Sequence, residues 1–210
     1  DRLGPERACA QGWISLQAMK TGIIVTVTLA CLIGCTLLFY AGWELIIVGV
    51  LCVLFAFLYT TGPYPLSYHG LGDIAVFIFF GLIAVNLSFY VQALYFERQV
   101  FLCSIAMGLL SVNILMVNNY RDKETDETSN KKTLVVLFGR KFAEYAYLLN
   151  GIAALAVTGT IWFTTNITGY IAAILYLSIH LKAWYAMTKK KGTELNPILG
   201  KTARNQLIFT

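Results

Sequence analysis

Two aspartates and an asparagine recur at four-residue intervals where a long apolar run gives way to charge. Asn118, Asp122 and Asp126 lie in the segment 118–133, NNYRDKETDETSNKKT. If the preceding helix continues through this segment, side chains four residues apart lie on one face and project together. Two carboxylates and an amide oxygen are hard oxygen ligands, which suit Mg²⁺ better than Zn²⁺. The spacing therefore predicts a Mg²⁺ site, and because Mg²⁺ commonly shares its ligand shell with phosphate, it also predicts a phosphorylated substrate.

Cationic side chains flank the same carboxylates. Arg121 directly precedes Asp122, and Lys131 and Lys132 follow Asp126. Cations in such positions stabilise the charge that develops on a departing phosphate group. The alternative is a solvated loop whose charges keep the edge of a membrane protein wet. The regular spacing favours the metal and diphosphate site over that alternative.

The composition places the chain in a lipid bilayer. Its 210 residues are 58% hydrophobic and 13% charged, with a mean hydropathy of +0.67, which is too apolar for a soluble domain. Six apolar runs have close to the ~20 residues that cross a membrane, and a seventh begins near Gln206. The six runs are residues 21–40, 45–61, 74–94, 101–118, 145–163 and 167–187. We therefore predict an all-α, polytopic transmembrane bundle of about six complete helices plus the start of a seventh, which forms one domain over residues 1–210.

The distribution of basic residues predicts the orientation of this bundle. If the chain starts inside, four segments share the inner face: residues 1–20, 62–73, 119–144 and 188–205. Of the 16 Lys and Arg residues, only Arg98 lies on the other face, because Lys182 can reach the inner face from its helix end. Positive charge collects on the cytoplasmic side, so the predicted site faces the cytoplasm at the inner membrane of the cell. The same rule explains the net charge of +5 without nucleic acid as a partner.

Two further segments of the predicted cytoplasmic face carry residues suited to substrate contact. Arg7 ends the segment 2–7, RLGPER, in which two arginines around a Gly-Pro turn could clamp an oxyanion or simply anchor the first helix. The aromatic segment 59–73, YTTGPYPLSYHGLGD, ends on Asp73, where a helix begins. Aspartate in that position is an ordinary helix N-cap. Taken alone, the anchor and the cap are the simpler interpretations.

At these residues the chain resembles the UbiA superfamily of intramembrane prenyltransferases, and within it the menaquinone branch. Residues 118–126 are similar to the second aspartate-rich motif of the family, and residues 119–122 and 131–134 are similar to its flanks. Residues 70–73, GLGD, are similar to the middle loop of the menaquinone branch. The resemblance covers essentially the whole chain, although Asn130 stands where the pattern usually has Gly before the Lys.

The resemblance implies transfer of a polyprenyl group from polyprenyl diphosphate to an aromatic acid, 1,4-dihydroxy-2-naphthoate, within the lipid bilayer. It implies that Asn118, Asp122 and Asp126 hold Mg²⁺ on the diphosphate, with both aspartates catalytic. Asp73 is the third expected catalytic residue, because it can orient or deprotonate the acceptor. The expected substrate-binding residues are Arg7, Arg121 and Lys131 on the phosphates, Tyr64 and Tyr68 facing the allylic cation, and Asn119.

The family has nine transmembrane helices and two facing aspartate-rich motifs. The resemblance therefore implies that this chain begins after the first motif and ends inside the last helix, so the 210 residues alone are expected to be inactive. Transfer to 4-hydroxybenzoate or another aromatic acid is the alternative function, although the loop 62–73 favours the naphthoate branch. A non-catalytic transport or assembly subunit is a second alternative. Transport would need ionisable residues near helix centres, whereas the acids and bases here lie almost wholly at helix ends.

Overall fold

The fold, obtained as a computed structural model, is described for residues 3–4, 6–164 and 167–210, without the side chains of residues 163 and 164. Helices dominate these residues and none of them forms a strand, so the all-α prediction is confirmed. The helices are α1 (Leu16–Thr36), α2 (Leu38–Ala41), α3 (Glu44–Leu58), α4 (Gly72–Val76), a π-helix (Phe77–Ile83), α5 (Ala84–Ala93), α6 (Arg98–Arg121), α7 (Lys123–Thr128), α8 (Leu134–Val157), α9 (Gly159–Thr164), α10 (Ile167–Lys189) and α11 (Asn196–Phe209). The prediction of one domain over residues 1–210 stays a prediction.

Four helical stretches of the described chain have the length and apolar composition needed to cross a membrane. They are Leu16–Ala41, Gly72–Ala93, Arg98–Arg121 and Ile167–Lys189. Glu44–Leu58 is an apolar helix that is shorter than these four. Neither α1 nor α3 contains a buried residue, so their apolar side chains face outward, as side chains in contact with lipid do. The protein is therefore a multi-pass membrane protein.

Two predicted helix boundaries were wrong. The fifth predicted run began at residue 145, whereas α8 begins at Leu134 and passes through a non-helical glycine, Gly139. The charges of Arg140 and Lys141 lower the hydropathy of this first part, although its helix is amphipathic. The last helix begins at Asn196, with proline at its start, rather than near Gln206. Its first half is polar, so an apolar run marks only its second half.

The buried core lies among α6, α8, α10 and α11. One cluster joins these helices near the C-terminal end of α6 and contains Met116, Val117, Tyr147, Met187 and Ile198, each with at most 1% of its surface exposed. A second cluster continues through the bundle and comprises Ala106, Leu110, Ala154, Tyr176 and Phe209. This packed half of the bundle fixes the end of α6, from which the predicted metal ligands project.

Two glycines set the distance between the π-helix and α6. A Cβ atom added to Gly81 would lie 2.7 Å from the backbone oxygen of Ser104 and 2.7 Å from the nitrogen of Gly108. Because such contacts are far shorter than van der Waals distance, the two helices approach this closely only without side chains at the crossing. The crossing positions the segment that carries Asp73 against the helix that leads to Asp122.

Candidate active site

The four-residue spacing of the predicted metal ligands persists through a break in the helix. The α6 helix ends at Arg121, and Asp122 has φ −92° and ψ 10° before α7 begins. The backbone nitrogen of Asp122 nevertheless donates to the oxygen of Asn118 at 3.0 Å, and that of Asp126 donates to the oxygen of Asp122 at 2.8 Å. Asp122 and Asp126 are both buried, with exposed fractions of 3% and 7%. The backbone thus brings both carboxylates to the same end of the bundle and out of bulk water.

Arg121 connects three side chains at this end of the bundle. Its Nε and Nη2 atoms donate to the two carboxylate oxygens of Asp122, both at 2.8 Å. Nη2 also donates to Oδ1 of Asn118 at 2.7 Å, and Nη1 donates to Oδ1 of Asn196 at 2.9 Å. The bidentate geometry is the strong form of an arginine–carboxylate contact. Because only 4% of Arg121 is exposed, the guanidinium holds Asn118 and Asp122 in fixed orientations.

Asn196, at the start of α11, is a site residue that the sequence did not indicate. Its Nδ2 atom donates to the backbone oxygen of Leu3 at 3.1 Å, while its oxygen accepts from Arg121. Gly4 lies against the same guanidinium, where an added Cβ atom would be 2.8 Å from Nη2 of Arg121. Asn196 therefore joins the N-terminal segment to the end of α6. The only local signal at this position, Asn followed by Pro, indicates a helix start and nothing about a partner 75 residues away.

Asp126 forms the second ion pair of the site. The Lys131 ammonium donates to both carboxylate oxygens at 3.1 Å, and the two side chains are 15% and 10% exposed. The backbone nitrogen of Lys131 also donates to the oxygen of Asp126 at 2.8 Å. This turn folds the loop back so that Lys131 lies over the carboxylate. Each predicted metal-binding carboxylate thus has a cation in contact with it.

Lys131 also lines a small cavity that contains Asp73 and Asn119. The cavity has a volume of about 20 Å³, and its other lining residues are Tyr59, Ser67, Gly70, Gly72, Leu115 and Thr133. Asp73 and Asn119 are 5% and 3% exposed, and Oδ1 of each is buried without a hydrogen-bond partner among the described residues. Asp122 and Asp126 do not belong to this lining. Lys131 is therefore the side chain that links the cavity to the carboxylate pair.

The remaining predicted substrate-binding residues are more exposed to the surroundings than Arg121 and Lys131. Tyr64 is 55% exposed and stacks on His69 with ring centroids 3.6 Å apart, and Tyr68 is 41% exposed. The backbone oxygen of Tyr68 accepts from the nitrogen of Lys132 at 3.0 Å, which ties the aromatic loop to the loop after α7. Arg7 is exposed, and Arg2 of the same segment lies outside the described residues. The assignment of Arg7, Tyr64 and Tyr68 to substrate stays a prediction.

A second set of charges ties α7 to α8 beside the site. The Arg140 guanidinium donates to the Glu124 carboxylate at 2.6 and 2.8 Å and lies 5.2 Å from the ring centre of Tyr120. The hydrogen bond from Arg140 lowers the pKa of Glu124 below its ordinary value, although the side chain is mostly exposed. This pair holds α7, the short helix that carries Asp126, against α8.

The three predicted metal ligands near the end of α6 have the donor chemistry that a hard cation prefers. Asn118, Asp122 and Asp126 contribute oxygen donors only, as Mg²⁺ requires. Within the described ranges, no group of three or more His, Cys, Asp or Glu side chains comes together as a closed metal site. Two carboxylates and one amide leave ligand positions open, and phosphate oxygens are the usual partners of Mg²⁺ in that situation.

Comparisons with known proteins identify the family of the chain. Residues 1–200 match the UbiA prenyltransferase family, and the chain belongs to that family. It is similar to the 1,4-dihydroxy-2-naphthoate octaprenyltransferase of Escherichia coli (strain K12), with 34% identity over 216 residues that cover 99% of this chain and 70% of the relative. The predicted resemblance is therefore confirmed.

Other relatives carry related names. The 1,4-dihydroxy-2-naphthoate octaprenyltransferase of Mycobacterium tuberculosis (strain ATCC 25618 / H37Rv) is 34% identical over 215 residues, which cover 100% of this chain and 71% of the relative. The 2-carboxy-1,4-naphthoquinone phytyltransferase of Synechocystis sp. (strain ATCC 27184 / PCC 6803 / Kazusa) is 26% identical over 112 residues, 53% of this chain and 36% of the relative. No solved structure matches the chain.

Proposed function

We propose that the protein transfers a polyprenyl group from polyprenyl diphosphate to 1,4-dihydroxy-2-naphthoate, a step of menaquinone biosynthesis. One observation carries the proposal: two buried carboxylates, each in contact with a cation, lie at the end of a helix of membrane length. Such a cluster suits a diphosphate at the surface of a lipid bilayer. The names of the relatives, which prenylate a naphthoate, support the choice of acceptor.

Asn118, Asp122 and Asp126 would hold Mg²⁺ against the diphosphate. Bound Mg²⁺ supplies positive charge that favours departure of pyrophosphate. We assign the Lys131 ammonium, beside Asp126, a contact with the diphosphate oxygens, and Arg7 a similar contact from the N-terminal segment. Arg121 places further charge there, but its hydrogen bonds also keep Asn118 and Asp122 in position.

The bond changes follow from the two substrates. The carbon–oxygen bond to pyrophosphate breaks with its electron pair and leaves an allylic cation, which the rings of Tyr64 and Tyr68 can face. The ring carbon of the acceptor that bears the carboxylate then bonds to this cation. Carbon dioxide leaves, and the electron pair of its bond restores the aromatic ring. Asp73 orients the acceptor, and the surrounding apolar helices exclude water that would otherwise capture the cation.

We place the protein in the inner membrane of the cell with this site at the cytoplasmic surface. Arg121 and Arg98 stand at opposite ends of α6, and the other lysines and arginines cluster, by sequence, with Arg121. The positive-inside rule then assigns the Arg121 end to the cytoplasm. Both substrates are accessible there, because a polyprenyl diphosphate has a lipid-soluble chain and a polar head, while the aromatic acid arrives from water.

A prenyl-transfer assay on membranes that contain the complete gene product tests the proposal. With labelled farnesyl diphosphate and Mg²⁺, we expect prenylation of 1,4-dihydroxy-2-naphthoate to exceed that of 4-hydroxybenzoate by about a hundredfold, or ~2.7 kcal/mol of barrier. Chelation of Mg²⁺ should stop the reaction, and adding Mg²⁺ back should restore it. A preference for 4-hydroxybenzoate would show that this acid, and not the naphthoate, is the acceptor. Absence of prenyl transfer to every aromatic acid would reject the assignment as a prenyltransferase.

We further propose that the 210 residues expressed alone give no turnover. The described residues provide one aspartate pair at the site, whereas the family resemblance implies a second, facing pair on the other side of the diphosphate. With one pair, the leaving group lacks part of its electrostatic stabilisation, commonly worth several kcal/mol. Co-expression with a segment that supplies the facing motif should restore measurable transfer. Robust activity of the 210 residues alone, with membrane insertion verified by cysteine labelling, would contradict this expectation.

A further inference from the structure

The cavity beside Lys131 contains two hydrogen-bond acceptors that have no donor. Oδ1 of Asp73 and Oδ1 of Asn119 are both buried and unpartnered among the described residues, and both side chains line the same space. A buried acceptor without a donor destabilises a protein, because it has lost its hydrogen bonds to water. Two of them in one cavity therefore indicate a ligand that brings hydrogen-bond donors with it.

The other charged group of the cavity does not supply those donors. The Lys131 ammonium is directed at Asp126, with both contacts at 3.1 Å. The Thr133 hydroxyl accepts from the backbone nitrogen of Val136 at 3.3 Å and is not paired with either acceptor oxygen. Tyr59 and Ser67 complete the wall and leave the two acceptor oxygens unpartnered.

The size and charge of the cavity restrict which chemical groups can enter it. About 20 Å³ accommodates one oxygen atom with its hydrogen, since a single water needs roughly 10–15 Å³ by the same measure. A carboxylate or phosphate group would place negative charge against Asp73 and offer it no hydrogen. A hydroxyl group fits both restrictions, because it is small, neutral and a donor.

We propose that Asp73 and Asn119 form a subsite that accepts a hydrogen bond from a ring hydroxyl of the aromatic acceptor and so selects a hydroxylated naphthoate. The inference rests on the proposed function, since it concerns the acceptor of that reaction. The hydroxyl keeps its proton throughout, because loss of carbon dioxide rather than of a proton restores the ring. Hydrogen bonding to the Asp73 carboxylate raises the electron density of the ring and favours attack on the allylic cation. A site built for a hydroxyl also rejects analogues without it strongly.

The test compares the diol with analogues that lack one hydroxyl. The values of kcat/KM for 1,4-dihydroxy-2-naphthoate, 1-hydroxy-2-naphthoate and 4-hydroxy-2-naphthoate are measured with the complete gene product and farnesyl diphosphate. For one analogue, we expect a drop of about a hundredfold or more. In Asp73→Leu and Asn119→Leu, the ratio of diol to that analogue should fall at least about tenfold, since leucine offers no oxygen to accept the hydrogen bond of the hydroxyl. The intrinsic reactivity of each ring cancels in this comparison.

A matched control separates the subsite from a general loss of packing. Asn86→Leu removes an amide that donates to the backbone oxygen of Leu82 at 2.8 Å, outside the cavity, and should leave the ratio unchanged. An unchanged ratio in both cavity variants, with an active parent protein, would show that the cavity holds only water and would overturn the subsite alone. Absence of transfer to any naphthoate would overturn the proposed function itself. If a variant does not fold, a parent protein that uses the diol and both analogues equally well still rejects the proposal.

Discussion

Asp126→Ala in the complete gene product is expected to lower kcat/KM for prenyl transfer by about a thousandfold or more, which corresponds to ~4 kcal/mol of barrier. Asp126, in α7, is 7% exposed, and its carboxylate contacts the Lys131 ammonium. Its removal takes a ligand from the proposed metal and leaves Lys131 without the carboxylate that positions it beside the phosphate. Both losses weaken the stabilisation of departing pyrophosphate. Initial rates against Mg²⁺ and prenyl diphosphate concentration measure the effect.

The neighbouring acid provides a matched control. Glu127→Ala removes a carboxylate that is 61% exposed and 3.6 Å from Lys123, and exposed ion pairs contribute less than about 1 kcal/mol. Its activity should stay within about threefold of the parent protein, in line with that small contribution. If Asp126→Ala behaves like Glu127→Ala, the carboxylates at the end of α6 are not the catalytic ones.

Asp126 is a better test of catalysis than Asp122, because its cationic partner is less buried than the partner of Asp122. Asp122 and Arg121 form an ion pair in which both side chains are at most 5% exposed. Removing one partner of a buried pair destabilises a protein by about 3–5 kcal/mol, so Asp122→Ala would reduce folding as well as activity. Lys131 is 15% exposed and can turn towards water when its partner is lost.

Gly81→Ala is expected to destabilise the bundle by about 1–3 kcal/mol, and Gly81→Leu by more. The added Cβ atom would lie 2.7 Å from the backbone of α6, where no side chain can move aside. Separating the π-helix from α6 also moves Asp73 away from Asn119. We therefore expect activity to fall together with the apparent melting temperature in detergent micelles.

A second glycine shows what the same substitution does in open space. An added Cβ atom at Gly200, in α11, meets no atom of the described structure within 4 Å. Gly200→Ala should therefore be neutral or stabilising by up to about 1 kcal/mol, because alanine favours a helix. Equal effects at the two positions would mean that the crossing at Gly81 is looser than the structure shows.

The membrane fold could be predicted from local patterns of the sequence. An apolar run of about 20 residues needs only its own backbone hydrogen bonds to be stable in lipid. The helices α6 and α10 therefore lie close to the predicted runs 101–118 and 167–187. The starts of α8 and α11 could not be predicted in this way, because charged and polar residues there face neighbouring helices or the membrane surface.

The sequence by itself determined the helical class and the family, since each depends on local patterns, and the assignment of residues 118, 122 and 126 as metal ligands stays a prediction from local spacing. Only the tertiary structure decided which cations meet these carboxylates and which residues complete the site. Asn196 reaches Arg121 across 75 residues, and Asp73 lines one cavity with Asn119 where two glycines let their helices approach. The physical reason is that packing of distant helices creates these contacts, and no local spacing along the chain records them.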